Sequence, residues 1–444
     1  MSKGPRETAL RALLRVETGG GYSNLVLEHA LSGPAADPRD RTLAAAIFYG
    51  VLERRITLDY VIGRFSSVPL EKIDPTVLEI LRVGVYQILY LTKIPVSAAV
   101  SESVNLARTC GAGRAAGFVN AVLRSFARSG GRVPAPKPGE SPAERLSVNC
   151  SCPVWIIRLW QKAYGERTAE HLLESLAGKP DLYARVNNTK ISEEKCIERL
   201  RAEGIEAERA AWPDRALRFA KAAGIGRSPA YREGLYHVQD LSSQILCALL
   251  DPAPGETVAD VCSAPGGKAF TIAERMENRG AVLAFDKYPR KVGLIRAGSE
   301  RLGLSCIRAG VRDAVSGGGA GPADRVLCDV PCSGLGVLRR KPEIRYKSEV
   351  TIDSLPDLQY LILCKSSGLL KSGGVLFYST CTLNPAENGE VAERFLRNGA
   401  DFSPMPLSLP EGFGHAVEEP ENQMTLMPHV HGTDGFFLAA FRKN

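Results

Sequence analysis

The 444-residue chain holds 44% hydrophobic, 24% charged and 7% aromatic residues, average usage that excludes a disordered, fibrous or disulfide-stapled protein and leaves room for two to four domains. Its most apolar stretch, Val77 to Leu91, is broken by Glu79, Arg82 and Gln87 and falls short of the roughly 20 residues needed to span a bilayer. The net charge of +7 is uneven, because residues 1–135 carry 17 Lys and Arg against 11 Asp and Glu, the pattern of a polyanion-binding module joined to a nearly neutral body.

The N-terminus is punctuated by Arg6, Glu7, Arg11, Arg15 and Glu17, which argues against a secretory signal and predicts a cytoplasmic protein. Helical periodicity then runs to about Arg128, through Ala9 to Leu14, Leu43 to Leu52, Val77 to Leu91 and Val100 to Ala107, with hardly a strand signal. Ser129 to Pro142 packs four prolines and three glycines together and reads as a linker. Beyond it, Val154 to Tyr164, Ala169 to Leu176 and Ser192 to Glu203 read as helices and Tyr183 to Asn187 as a strand, a small mixed module. From Gly255 onward short apolar strands alternate with helical stretches: Val258 to Cys262, Ala281 to Phe285, Cys306 to Ala309, Arg325 to Cys328 and Gly374 to Tyr378. That alternation is the signature of a doubly wound parallel sheet. The low-complexity patch Gly317 to Gly321 reads as a loop. The partition is 1–134, 146–234 and 235–444.

Three motifs fall at strand ends, where an open α/β sheet places its ligand crevice. Asp260-Val261-Cys262-Ser263-Ala264-Pro265-Gly266-Gly267-Lys268 joins a strand to a helix, and its paired glycines let backbone approach a ligand. Asp286 ends the next strand, where an acid can accept from both hydroxyls of a ribose. Asp329-Val330-Pro331-Cys332-Ser333-Gly334 and Tyr378-Ser379-Thr380-Cys381-Thr382 deliver two thiols to one sheet edge. Asn384, Pro385 and Glu387 have the spacing of a helix N-terminus, whose positive end would lower the pKa of Cys381; the other reading of the thiols is buried structural cysteine. The eleven cysteines include no CxxC pair, so structural zinc is not expected. Cys150 and Cys152 lack partner residues, and His429 and His431 lack a third ligand, so no metal is predicted. Arg339, Arg340 and Lys341 are expected to grip phosphates.

DVCSAPGGK, ADRVLCDVPCSGLGVLRRKPEIRY, FYSTCTLNPAEN and LMPHVHGTDGFFLAAF resemble, in order and spacing, the motifs of the S-adenosylmethionine-dependent RNA 5-methylcytosine methyltransferases. The stretches DRTLAAAIFYGVLERRITLDYVI, VLEILRVGVYQILYL and FVNAVLRSF resemble the NusB-like RNA-binding domain. Together they cover almost the whole chain. The resemblance implies an all-α NusB-like domain, a small α+β module and an α/β Rossmann-like methyltransferase domain. Within the family this arrangement points to members acting on bacterial small-subunit (16S) ribosomal RNA, with S-adenosyl-L-methionine as cofactor and a monomer as the expected state.

The same resemblance implies Cys381 as nucleophile toward carbon 6 of cytosine and Cys332 as the thiol that helps release product, although DNA cytosine methyltransferases use a Pro-Cys cysteine like Cys332 as nucleophile. Asp329 would hold the amidine edge of the base or reach the cofactor, and Lys268 would face the substrate. Cys262, Ser263, Ala264, Pro265, Gly266, Gly267 and Lys268 would line the methionine and ribose region, with Asp286 on the ribose. One departure stands out. The position of the acid that family members carry near the end of the third strand to contact adenine falls here near Gly310, so that acid reads as missing, and Asp313, shifted along the chain, is not expected to replace it. Two other readings stay open, the same chemistry on transfer RNA and a noncatalytic RNA-binding or assembly factor.

Overall fold

A computed structural model describes all residues except 1–3, 20, 22, 32–36, 138, 222–223 and 317–320; most of the glycine-rich patch at 317–321 therefore lies outside the described residues. The chain divides into two compact units, one of Met1–Gly178 with Leu338–Lys347, the other of Lys179–Val337 with Ser348–Asn444.

The first unit is helical: α1 Pro5–Glu17, α2 Ser23–Leu31, α3 Pro38–Phe65, α4 Pro75–Tyr90, α5 Val96–Thr109, α6 Ala116–Arg128, α7 Pro142–Cys150, α8 Val154–Tyr164 and α9 Glu166–Ser175. Local chemistry sets the starts. Asp37 and Asp74 cap α3 and α4 ahead of a proline, and Ser141 with Glu144 closes a capping box on α7, each satisfying backbone N–H groups that a helix leaves open. The core is aliphatic, built on Leu10, Leu13, Ile47, Phe48, Ile80, Leu81, Leu123 and Phe126. One buried cation interrupts it: Arg82 makes two bonds to Asp59, at 2.7 and 2.8 Å, and also pairs with Glu79. The described part of the proline-rich stretch between α6 and α7 forms neither helix nor strand. The late segment Leu338–Lys347 belongs here: Arg345 donates to the carbonyls of Glu53 and Ser151, and the Tyr346 hydroxyl to that of Leu52 at 2.6 Å.

The second unit begins with β1 Leu182–Val186, α10 Glu193–Ala202, β2 Ala207–Arg209, β3 Ala216–Phe219, α11 Pro229–Arg232 and β4 Tyr236–Val238. These strands form an antiparallel sheet in the order β2-β3-β1-β4. Then follow α12 Leu241–Leu250, β5 Thr257–Asp260, α13 Gly267–Arg275, β6 Ala281–Asp286, α14 Pro289–Leu302, β7 Ile307–Val311, β8 Ala323–Asp329, α15 Leu355–Ser367, β9 Leu370–Thr380, α16 Gly389–Asn398, β10 Phe402–Pro404, β11 Gln423–Leu426, α17 Pro428–His431 and β12 Phe436–Lys443. The large sheet runs β10-β12-β9-β8-β5-β6-β7, with β11 on β12. Strands β5 to β9 pair in parallel, and β12 returns antiparallel beside β9. Continuous apolar strands suit a sheet covered on both faces: Val258, Val282, Ala284 and Leu327 face one core, and Ala259, Val326, Cys328 and Leu376 the other. A buried ion pair, Arg185 Nε to Glu274 Oε2 at 2.9 Å, fastens the small sheet to α13.

Candidate active site

Four aspartates stand along the carboxyl edge of the parallel strands: Asp329 ends β8, Asp260 ends β5, Asp286 ends β6 and Asp313 follows β7. The expectation that the acid beyond the third strand is missing needs correction. Strand β7 extends to Val311, so Gly310 is an internal strand position paired with Phe285, and the residue that reaches the edge is Asp313. Its carboxylate lies 3.0 Å from Lys287 Nζ and accepts from the Val315 amide. The bond to Lys287 and that amide hold its pKa below the usual carboxylate range.

Between β5 and α13 the chain turns tightly. The Ser263 amide donates to Phe285 O at 2.7 Å and the Gly266 amide to Ser263 O at 2.8 Å. Gly266 has φ +112°, and a Cβ there would lie 2.4 Å from the Phe270 ring; glycine is therefore required, and Gly267 opens α13 immediately after it. Asp260 is fully buried, with the Ser263 side chain and the Cys262 backbone amide as its polar neighbours. Burial, with the charge of Asp329, pushes its pKa up to about 7, against the lowering effect of Ser263, Lys268 and Cys262. A buried carboxyl so weakly satisfied is costly in isolation; a cationic ligand group would relieve it. Asp286 Oδ1 accepts from the Tyr288 amide at 3.0 Å, which leaves acceptor capacity for hydroxyls. Cys262, within the turn, is held well above the ordinary thiol range, chiefly by burial, and is not a reactive thiol. The residues from Cys262 to Lys268, Asp286, Asp313 and Asp260, the last given no role by the sequence reading, thus fit a ligand that brings a positive charge and a ribose.

Across the edge, Lys268 Nζ lies 2.8 Å from Asp329 Oδ2, while Ser379 Oγ donates to Asp329 Oδ1 at 2.8 Å. Burial opposes the lysine charge, but the carboxylate outweighs it, so the Lys268 pKa is raised. The ammonium also sits 5.3 Å from the centre of the Phe436 ring. Cys332 Sγ and Cys381 Sγ are 3.1 Å apart, and the Cys381 amide points at Cys332 Sγ from 3.3 Å. Both side chains are half-buried. The neighbouring Cys381 thiol, then burial, then the charge of Glu387 raise the Cys332 pKa well above the ordinary value, which keeps a proton on that sulfur.

The predicted helix start beyond Cys381 forms only as one 3₁₀ turn, Pro385–Glu387, whose Ala386 amide donates to Asn384 Oδ1; the α-helix itself begins at Gly389. Glu387 does not accept from the Asn384 backbone amide as a capping box would; its carboxylate takes the Asn384 side chain, the Ser333 amide and Gln359 instead. The thiol loops are fixed by a crossing of three segments. The Gly336 amide donates to Cys381 O at 3.0 Å, and the Gly435 amide to Gly336 O at 2.9 Å. A Cβ on Gly336 would sit 1.9 Å from Gly435 O. Elsewhere, Arg339, Arg340 and Lys341 open the segment that belongs to the helical unit, Cys152 is buried with its pKa raised to about 12 by desolvation, and His431 uses both ring nitrogens, toward the Met427 amide and Gly414 O.

Residues 247–442 match the model of the 16S rRNA methyltransferase RsmB/F family, residues 3–128 that of the NusB family, and residues 152–226 that of the RsmF/B-like ferredoxin-like domain. A probable ribosomal RNA small subunit methyltransferase B from Bacillus subtilis is 38% identical, covering 99% of this chain and 98% of its own length. The chain belongs to this methyltransferase family. A second probable ribosomal RNA small subunit methyltransferase B, from Synechocystis, is 34% identical over 99% of both chains. The crystal structure of a methyltransferase homolog protein from Pyrococcus horikoshii superposes with a TM-score of 0.59 at 31% identity, covering 69% of this chain and all of that one. The fold is accordingly that of this S-adenosylmethionine-dependent family, with NusB and ferredoxin-like regions ahead of the methyltransferase domain.

Proposed function

We propose that the enzyme methylates carbon 5 of a cytosine in small-subunit ribosomal RNA, in the cytoplasm, through a covalent bond between Cys381 and carbon 6. The observation that carries the reading is the pair of thiols 3.1 Å apart at adjacent strand ends, on the same edge as the fully buried Asp260 carboxyl. Carbon 5 of cytosine is a poor nucleophile. Addition of a thiolate to carbon 6 makes it enamine-like, and the target base has to leave its stack to reach both sulfurs.

Cys381, the thiol of the Thr-Cys motif, is the sulfur that attacks in this reading, and Cys332 keeps its proton until the adduct has formed. Asp329, oriented by Lys268 and Ser379, faces the amidine edge of the base. Asp260, the turn from Cys262 to Gly267, Asp286 and Asp313 would hold S-adenosylmethionine, which would supply the methyl group when bound. Once the Cys381 sulfur has become a thioether, the interaction that most raises the Cys332 pKa is gone. Cys332 then gives its proton to solvent and, as thiolate, takes the carbon 5 proton; the electrons of that C–H bond form the 5,6 double bond, and Cys381 leaves as thiolate.

The test incubates wild type, Cys332→Ala and Cys381→Ala with small-subunit ribosomal RNA and labelled cofactor. Cys381→Ala is expected to lose both methyl transfer and the gel-shifted covalent complex, and Cys332→Ala to accumulate the complex. The reverse pattern exchanges the thiol roles. Absence of both signals from wild type, on transfer RNA as well as ribosomal RNA, would favour a noncatalytic RNA-binding factor.

A further inference from the structure

Glu387 is a fully buried carboxylate with no cation in contact with it among the described residues. Oε2 accepts from the Ser333 amide at 2.8 Å and from Gln359 Nε2 at 2.9 Å; Oε1 accepts from Asn384 Nδ2 at 3.0 Å. Gln359 Nε2 also donates to Pro331 O at 3.0 Å. The residues on both sides of Cys332 are therefore tied to this one side chain, Ser333 directly and Pro331 through Gln359. Asn384 ties it to the loop that carries Cys381. The neighbouring contacts run the same way: Ser333 Oγ meets Thr382 Oγ1 at 2.7 Å, and Asn388 bonds Thr380 Oγ1 at 2.6 Å and Thr382 O at 3.0 Å. All three donors to Glu387 are neutral N–H groups, so position 387 needs an acceptor-only side chain; a glutamine would turn an N–H toward one of them. Leaving a carboxylate here without a cation costs stability, which a purely structural hub could avoid.

Resting on the methyltransferase reading above, we propose that Glu387 is a positioning residue for the release step, holding the Cys332 loop against Cys381 through Ser333 and Gln359 while its negative charge makes Cys332 the stronger base of the pair. The groups facing Cys332 are Cys381 at the end of β9, Glu387 in the turn beyond it and Tyr378 within β9, whose own pKa is raised mainly by burial, with the charges of Cys332 and Glu387 adding to it. Glu387 is the carboxyl among them. It would act when Cys332 collects the carbon 5 proton, because a sulfur beside a fixed negative charge holds a proton more tightly.

The experiment compares Glu387→Gln and Gln359→Leu with wild type in full-length enzyme. Single-turnover release of methylated RNA from the covalent complex is followed against pH, with cofactor affinity measured by calorimetry. Glu387→Gln is expected to slow release by about 30-fold, the scale of a displaced proton acceptor. Its rising pH limb should move about half a unit or more toward acid, with cofactor affinity unchanged. Gln359→Leu, which loosens the Pro331 side and leaves the charge, is expected to slow release without moving the limb. Should Glu387→Gln fail to fold, the pH dependence of Cys332 alkylation is compared in Cys381→Ala protein with and without Glu387→Asp, where the shorter carboxylate should alter the Cys332 midpoint. An unmoved limb or unmoved midpoint overturns the proposal and reduces Glu387 to a structural hub. If Cys381→Ala itself still turns over, the covalent reading has failed instead, and the two failures are distinguishable.

Discussion

The carboxyl edge of the large sheet is built in two opposite ways. On the side of β5, β6 and β7 the turn leaves charge waiting: Asp260 is buried beside only the Ser263 side chain and the Cys262 amide, and burial with the charge of Asp329 raises its pKa to about 7. On the side of β8 and β9 the thiol loops are internally complete, laced by Ser333, Thr382, Asn388 and Glu387 and crossed by the Gly336–Gly435 backbone contact. The difference teaches a division of labour. A site that must exchange a charged small molecule every cycle leaves the ligand to satisfy its polar groups, whereas a site that must hold two sulfurs in register satisfies them within the protein.

The largest effect that could break this contrast comes from the thiols. Cys381→Ala is expected to lower methyl transfer by about ten thousand-fold or more, as loss of a covalent nucleophile does, with cofactor affinity by calorimetry unchanged. Coupled loss of cofactor binding would mean the two halves are one site. Gly336→Ala should come next. Its Cβ would meet the Gly435 carbonyl at 1.9 Å, and a backbone clash of that kind costs about 3 kcal/mol or more, read as a lowered unfolding midpoint.

The cofactor half sharpens the contrast through pH. A cationic cofactor prefers ionised Asp260, so affinity should fall by roughly tenfold per unit below about pH 7, where binding must expel a proton. Asp260→Asn should flatten that dependence and bind about a hundredfold more weakly at pH 8. In the cofactor-free protein the sign reverses. The folded-state pKa lies above the ordinary 3.8, so the stabilising contribution is full below that value and is lost as pH rises to about 7, a trend that denaturant titrations at pH 4 and pH 8 would reveal against the asparagine variant. The smallest effect is expected from Asp313→Asn, about fivefold in cofactor affinity, since Lys287 already shares that carboxylate.

Much of this edge was legible because its signals are local. A strand followed by Gly266-Gly267, a Pro-Cys and a Thr-Cys each announce a strand end within a few residues, and β5 to β9 fall where the alternation of apolar runs places them. Other features depend on contacts far apart in sequence. Asn384 to Glu387 has the spacing of a capping box, but Ser333 and Gln359 compete for the carboxylate and win. The end of β7 runs two residues beyond its apolar run, which is why Asp313 looked displaced. The antiparallel β12 pairs with β9 from Phe437 opposite Thr380 to Arg442 opposite Val375, a register that periodicity cannot state. That Asp260 is so weakly satisfied is visible only once its surroundings exist.

Residues Leu338–Lys347 carry a consequence for how the protein is made. The helical unit receives its last piece from a stretch that leaves the ribosome some 160 residues after the rest of that unit has ended at Gly178, so its final hydrogen bonds, those of Arg345 and Tyr346, must wait until most of the catalytic unit has been synthesised. No single cut in the chain can free the two units intact, and a recombination that exchanges the helical unit for another must carry three breakpoints. A helical unit drawn mainly from the first 178 residues is thus finished only by a segment that follows much of its neighbour in sequence.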